Sequence, residues 1–203
     1  MRPRVLLMAA FCLALAGCQS FKPIEAMKAV DVGDGITVEP QVEWAFAVGP
    51  LNGGMSGTVW TIDGFGLNEL RFLTGVAGGA PLLRIDGIDR KDMVAYNTTM
   101  LPDDVMEMVA GTLGKAGNQQ LRTAALRPVP FGTGTGFRFD LSYTTKDGLQ
   151  MKGTALFAQR KNKLDVILFA APSEYYYDRY VPTVEKVFAS VRVADAPGAK
   201  PSS

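Results

Sequence analysis

Histidine is absent from all 203 residues of the chain. Its absence excludes Ser-His-Asp and Cys-His catalysis and every metal site that needs an imidazole. Cysteine occurs twice, too few for a four-cysteine zinc site. Neither sign of charge is in excess: 21 basic and 20 acidic side chains give a formal net charge of +1. The basic surplus that tracks phosphate backbones is missing, so nucleic acid is not an expected partner. No apolar run is long enough to span a bilayer, because Val5 to Ala16 falls well short of the about 20 residues a spanning helix needs. The Gly-Lys-Ser/Thr of a phosphate loop, the Gly-x-Ser-x-Gly elbow and Ser-x-x-Lys are also absent; Gly54-Met-Ser-Gly57 lacks the spacing. What is present, 47% hydrophobic residues over this length, suffices for one ordinary domain with a core.

The first eighteen residues carry the most specific signal. Arg2 and Arg4 make a positive start, Val5 to Ala16 is unbroken apolar, and Gly17 and Cys18 follow. A charged n-region ahead of a short h-region reads as a secretory signal peptide rather than a membrane anchor. Leu15-Ala16-Gly17-Cys18 resembles the lipobox of bacterial lipoproteins, where signal peptidase II cuts before the cysteine and the thiol receives diacylglycerol. The resemblance implies that residues 1–17 are a signal peptide, that Leu15, Ala16 and Gly17 are recognised by the peptidase, and that Cys18 is the lipidated first residue of the mature chain. An ordinary signal peptide with an incidental cysteine and a buried N-terminal helix are the competing readings; the register of arginines, run and box disfavours both. Acyl chains contribute roughly 0.8 kcal/mol per buried methylene, and more than one chain, diacylglycerol and palmitate, makes anchoring stable. The expected location is therefore the bacterial envelope, on the periplasmic side of a membrane. Gln19 stands where the inner-membrane retention signal of enteric bacteria has Asp, which points to the outer membrane. Cys12 leaves with the peptide and Cys18 carries lipid, so no disulfide is expected within the mature chain. Loss of Arg2 and Arg4 leaves 19 basic residues against 20 acidic.

Residues 18–34 comprise the cysteine and a stretch of Ser, Lys, Pro, Asp and Gly with little periodicity, which predicts a flexible tether. Residues 194–203 have the composition of a disordered tail. Between them, residues 35–193 predict one domain without linker or repeat. Ile36, Val38, Val42, Trp44, Phe46 and Val48 share a parity broken at Pro40, predicting an extended segment at a sheet edge. Gly57 to Ile62 and Leu70 to Val76 are strand candidates flanking an Asp63-Gly64 turn signal. Pro102-Asp103-Asp104 opens a helix whose core stripe is Val105, Met108, Val109, Thr112 and Leu113.

Phe137, Phe139, Leu141 and Tyr143 alternate with polar residues up to Lys146-Asp147-Gly148, where Asp-Gly predicts a type I′ hairpin turn. A return strand over Leu149 to Phe157, a turn at Arg160 to Lys163 and a third strand over Leu164 to Ala170 complete a meander with one buried face. Ser173 is the expected N-cap of a last helix, with Tyr177, Val181, Val184, Phe188 and Val191 on one stripe and Pro182 expected to kink or divide it. These elements predict an α+β fold, an antiparallel meander sheet of five to seven strands covered by helices. Their order, with a closing helix that ends Val187-Phe-Ala-Ser-Val-Arg192, resembles the PsbP-like α/β/α sandwich proteins over residues 36 to 193. The resemblance implies that fold and brings no catalytic residues.

Few patterns invite a chemical reading. Phe131-Gly-Thr-Gly-Thr-Gly136 is glycine-rich but precedes a strand pattern rather than a helix, so a flexible loop is expected in place of a phosphate site. Asp86, Asp89 and Asp92, and the pair Asp31 and Asp34, match no calcium-loop spacing and read as solvated charge. Asp103, Asp104 and Glu107 sit where a helix start favours carboxylates. Tyr175, Tyr176, Tyr177 and Tyr180 cannot all face one core, so one or two are expected to be exposed or to line a groove, a possible binding surface set against packing at a helix and sheet junction. The expectation is a lipid-anchored envelope protein that acts without catalysis, through a partner protein or an apolar ligand held between sheet and helix, with no metal or other cofactor. The alternative is an envelope enzyme with a histidine-free site.

Overall fold

The computed structural model describes residues 21–47 and 58–194; the lipobox Leu15-Ala16-Gly17-Cys18, Val48, the Gly54 to Gly57 stretch and residues 195–203 lie outside the described residues. The chain runs through β1 (Phe21–Ile24), β2 (Val30–Gly33), β3 (Ile36–Val38), β4 (Trp44–Ala47), β5 (Thr58–Thr61) and β6 (Glu69–Ala77). It continues with α1 (Pro102–Lys115), β7 (Gln119–Phe131), β8 (Gly134–Thr144), β9 (Gln150–Arg160), β10 (Lys163–Pro172), α2 (Tyr176–Ala189) and β11 (Arg192–Val193). Among the described residues eight strands form one antiparallel sheet in the order β1-β4-β5-β6-β10-β9-β8-β7, and β11-β3-β2 form a second, small sheet. The large sheet thus exceeds the five to seven strands expected.

The meander forms in the expected order, but both of its faces are covered. On one face α1 lays its stripe of Val105, Met108, Val109, Thr112 and Leu113 over Phe139, Phe157, Val166 and Leu168, with Leu82, Leu83 and Tyr96 of the connecting segment beside it. On the other face α2 and the small sheet cover Leu70, Phe72, Leu156, Ile167 and Phe169. Trp44, Trp60 and Phe72 line up across β4, β5 and β6 with ring centroids 6.2 and 4.6 Å apart. Each such fully buried side chain contributes roughly 1.5–3 kcal/mol. Double coverage explains why β10 reads as a nearly continuous apolar run and β9 is apolar through Ala155, Leu156, Phe157 and Ala158.

Several local expectations are corrected. The tether does not extend through residues 21–34: Phe21–Ile24 pairs with β4 and Val30–Gly33 with β3. Ala194 is tied as well, its N–H donating to the Gly35 carbonyl at 2.8 Å. The parity segment around Pro40 is two strands of different sheets, β3 and β4. The Gly-rich stretch is no flexible loop but a tight hairpin, with Phe131 opposite Gly134 and Val129 opposite Gly136. A Cβ on Gly136 would lie 2.9 Å from the Phe131 Cβ, so only glycine fits there. At Asp147-Gly148 only Gly148 has positive φ, 86°, so this is not the type I′ turn. That conformation occurs instead at Lys161 and Asn162, with φ of 49° and 62° between paired Arg160 and Lys163. Tyr175 rather than Ser173 stands at the N-cap position of α2, without a side-chain cap bond, and the helix runs unbroken past Pro182 because that proline and Asp178, whose carbonyl loses its donor, both face water.

Candidate functional site

β6 sends Glu69 and Arg71 to the α1 side of the sheet, two residues apart and hence on one face with Leu73. Across from them stand Tyr143 at the end of β8, Met151 on β9, and Leu168 and Ala170 on β10. Leu113 and Ala116 at the C-terminal end of α1, Leu83 of the connecting segment, and the β8–β9 turn from Thr145 to Leu149 close a cleft of about 380 Å³ around these groups. That volume falls within the range of small-molecule sites. A cleft forms because α1 ends at Lys115 while the sheet continues beneath it. The turn that leads into β6 is braced by Asn68, which is fully buried. The Asn68 Oδ1 accepts from the Thr61 hydroxyl at 3.0 Å and the Ile62 N–H at 2.6 Å, and its Nδ2 donates to Asp63 at 2.8 Å.

The polar side chains of the lining are Glu69, Arg71, Asn118, Tyr143, Thr145, Lys146 and Asp147. Arg71 is only 5% exposed. Its Nη2 donates to Glu69 Oε2 at 2.9 Å, and Glu69 Oε1 accepts the Gly66 N–H at 3.1 Å. Among the described residues the Arg71 Nη1 meets no acceptor, and it has essentially no surface open to solvent. A guanidinium carries five donors, and a buried donor left without a partner costs on the order of 1–3 kcal/mol. Burial pushes the Tyr143 phenol well above its ordinary value; the Glu69 charge adds to that and Arg71 opposes it. The hydroxyl therefore stays protonated as a neutral donor. The rest of the lining is predominantly apolar. Glu69 is already engaged by Arg71 and by the backbone, and Asp147 lies exposed on the turn.

Other depressions are less well built. One of about 600 Å³ is lined wholly by residues 80–93 of a single connecting segment. Another, of about 260 Å³ between α2 and β7, has its Arg138 and Glu185 paired with each other.

The four tyrosines separate. Tyr175 is 65% exposed and its hydroxyl accepts from Arg179, whose guanidinium lies 5.2 Å from the Tyr175 ring centroid and 5.1 Å from that of Tyr180. Tyr176 packs half-buried against the α2-side core with its ring edge on to Tyr175. Tyr177 stacks on Phe169 at 5.9 Å, and Tyr180 is buried. The structure thus brings one tyrosine to the surface and uses the others in packing. Asp31 caps its own turn by accepting the Gly33 N–H, Asp34 is bound by Lys163 and Arg160, and Asp89 pairs with Lys91. Among the described residues no three acidic side chains converge as metal ligands. The Arg71 end of the cleft was missed at the level of sequence. Its signal was there: Arg71 shares a strand face with Leu73, so that face turns apolar within two residues.

No family model matches the chain, and no curated protein matches it in sequence. Among solved structures its fold is similar to that of the cyanobacterial PsbP protein CyanoP from Synechocystis sp. PCC 6803, with a TM-score of 0.51 at 15% identity over 88% of this chain and 95% of that one. The likeness is one of fold and bears out the PsbP-like α/β/α sandwich. More distant are the Ran-binding protein Mog1p of Saccharomyces cerevisiae, at 0.41 and 13% identity over 88% and 97% of the two chains, and LpqN, involved in cell envelope biogenesis of Mycobacterium tuberculosis, at 0.37 and 11% over 87% and 91%.

Proposed function

We propose that this chain is a non-catalytic binding protein of the bacterial envelope, held to a membrane by lipid on Cys18, whose cleft between α1 and the sheet takes an apolar ligand. The observation that carries the reading is the cleft itself: about 380 Å³, walled by Leu83, Leu113, Met151 and Leu168, with Glu69, Arg71 and Tyr143 among its polar groups. Apolar walls around a few convergent polar groups are the usual make-up of a ligand site. A catalytic reading needs a nucleophile beside a base, or two free carboxylates within reach. Glu69 is committed to Arg71 and the Gly66 N–H, which supports binding instead. The anchor rests on the Leu15-Ala16-Gly17-Cys18 box and the charged, apolar leader before it. Gln19 supports the outer membrane as the destination. The domain then hangs from its lipid by at most residues 19 and 20 before β1 begins, a close tether that keeps it at the membrane surface.

Two measurements test the reading. Cells expressing the wild type incorporate labelled palmitate into the protein, and Cys18→Ala abolishes the label; equal labelling contradicts the anchor. The mature wild-type chain in lipid nanodiscs forms an adduct with a photoreactive decanol at the cleft residues, and Ala170→Trp, which fills the cleft, loses it. An adduct that persists in the filled variant contradicts the site. A protein partner at the start of α2 is the second reading, favoured by the 65% exposure of Tyr175 beside Arg179. Crosslinking from position 175 in intact cells checks it.

A further inference from the structure

The cleft of the proposed function has one feature that an apolar ligand alone does not use. Arg71 is buried on the sheet, one corner of its guanidinium bound to Glu69 and the other, Nη1, without an acceptor among the described residues. Buried arginines are ordinarily satisfied by two or more acceptors, because the desolvated cation costs several kcal/mol unless its donors are paired. The two ends of the ion pair also differ in surroundings. The Glu69 side chain is 26% exposed and accepts the Gly66 N–H as well, whereas the Arg71 side chain is 6% exposed. Arg71 therefore keeps an unused planar donor although its charge is paired, and it lines the cleft together with the neutral hydroxyl of Tyr143.

Resting on that reading of the cleft, we propose that its ligand is an amphiphile with a single carboxylate, the headgroup paired with the free edge of Arg71 and the hydrocarbon lying along Leu83, Leu113, Met151 and Leu168. A carboxylate matches a guanidinium edge in plane and charge. A phosphate dianion would bring a second negative charge close to Glu69, and an alcohol offers no charge at all. Nη1 is sealed from solvent, so reaching it takes a rotamer change of Arg71 or of a neighbour in the lining. The charge-assisted hydrogen bond offsets that cost.

The test is competition against the photoreactive decanol adduct, on the mature lipid-anchored chain in nanodiscs, with decanoic acid, decanol and decyl phosphate, in the wild type and in Arg71→Met. The expected result is that decanoic acid competes about tenfold or more better than decanol in the wild type, that decyl phosphate does not exceed it, and that Arg71→Met removes the preference while decanol still competes. Partition into the membrane is the same for both proteins, so the change in the acid-to-alcohol ratio reports Arg71 alone. Equal competition by acid and alcohol in the wild type overturns the carboxylate assignment and leaves the cleft reading standing. A preference for decyl phosphate, or one for the acid that survives in Arg71→Met, overturns it too. Absence of any decanol adduct overturns the cleft reading and this inference together.

Discussion

Buried polar residues set the character of this protein as much as its apolar ones. Asp165 is fully buried and holds the end of the sheet together: Oδ1 accepts the Gly75 N–H at 2.7 Å and Oδ2 meets Arg160 at 2.8 Å, which in turn reaches Asp34 of the β2–β3 turn. Burial raises its pKa despite those partners. Tyr177 and Tyr180 are pushed up to about 12, each first by burial; for Tyr180 a hydrogen bond to Asp63 follows, and for Tyr177 the charge of Asp140. The folded chain therefore keeps these two protons, like that of Tyr143, where the unfolded chain releases them near pH 10. Their contribution to stability is full below the unfolded value and is lost as pH rises through about 12. Spectrophotometric titration is expected to show these two phenols ionising together with unfolding in that window; complete tyrosine ionisation near pH 10 with the fold intact contradicts the packing described. The same scale explains why Arg71 was not foreseen. Glu69-Leu70-Arg71-Phe72 alternates as a strand with one wet face would, and only α1 lying across that face turns a surface arginine into a buried one.

Among the elements, those whose period is regular were legible and those shaped by irregular backbone were not. The α1 stripe repeats at helical spacing, begins at a proline followed by two aspartates, and is buried at the residues expected. β8 to β10 alternate or run apolar between turn residues, and their pairing followed. β7 was invisible because register shifts interrupt it between Gln119 and Arg122 and again between Ala124 and Arg127, where Gln120 and Ala125 take φ of 52° and 58°. With Pro128 and Pro130, these bulges also blunt an exposed edge against pairing with another chain. Helix α2 carries a different cost. Pro182 removes the donor that would bond the Asp178 carbonyl, and the helix continues only because that side faces water. Pro182→Ala restores the bond and is expected to raise stability by roughly 1–3 kcal/mol in denaturant unfolding; an unchanged or lowered midpoint contradicts this account of the helix.

At the scale of the whole molecule, one sheet separates two cores, and the functional reading divides along it. The α2 side is aromatic, with Trp44, Trp60, Phe72 and Phe169 packed beneath Tyr177 and Tyr180. The α1 side opens where the helix ends before the sheet does, and there the cleft forms. Two covering layers could be anticipated from two helical stripes. That the small sheet is built from residues 30 to 38 and 192 to 193 could not, since Val30–Gly33 is short, polar in part and rich in turn residues. The cleft was anticipated only as a space between sheet and helix, because its size depends on where α1 stops and not on any single motif. The most direct test of ligand binding on the α1 side is methyl NMR of the mature chain in nanodiscs during titration with decanoic acid. The expected result is saturable shifts of the Leu83, Leu113, Met151 and Leu168 methyls with those of the α2-side core unmoved; shifts confined to the α2 side, or none that saturate, would contradict it.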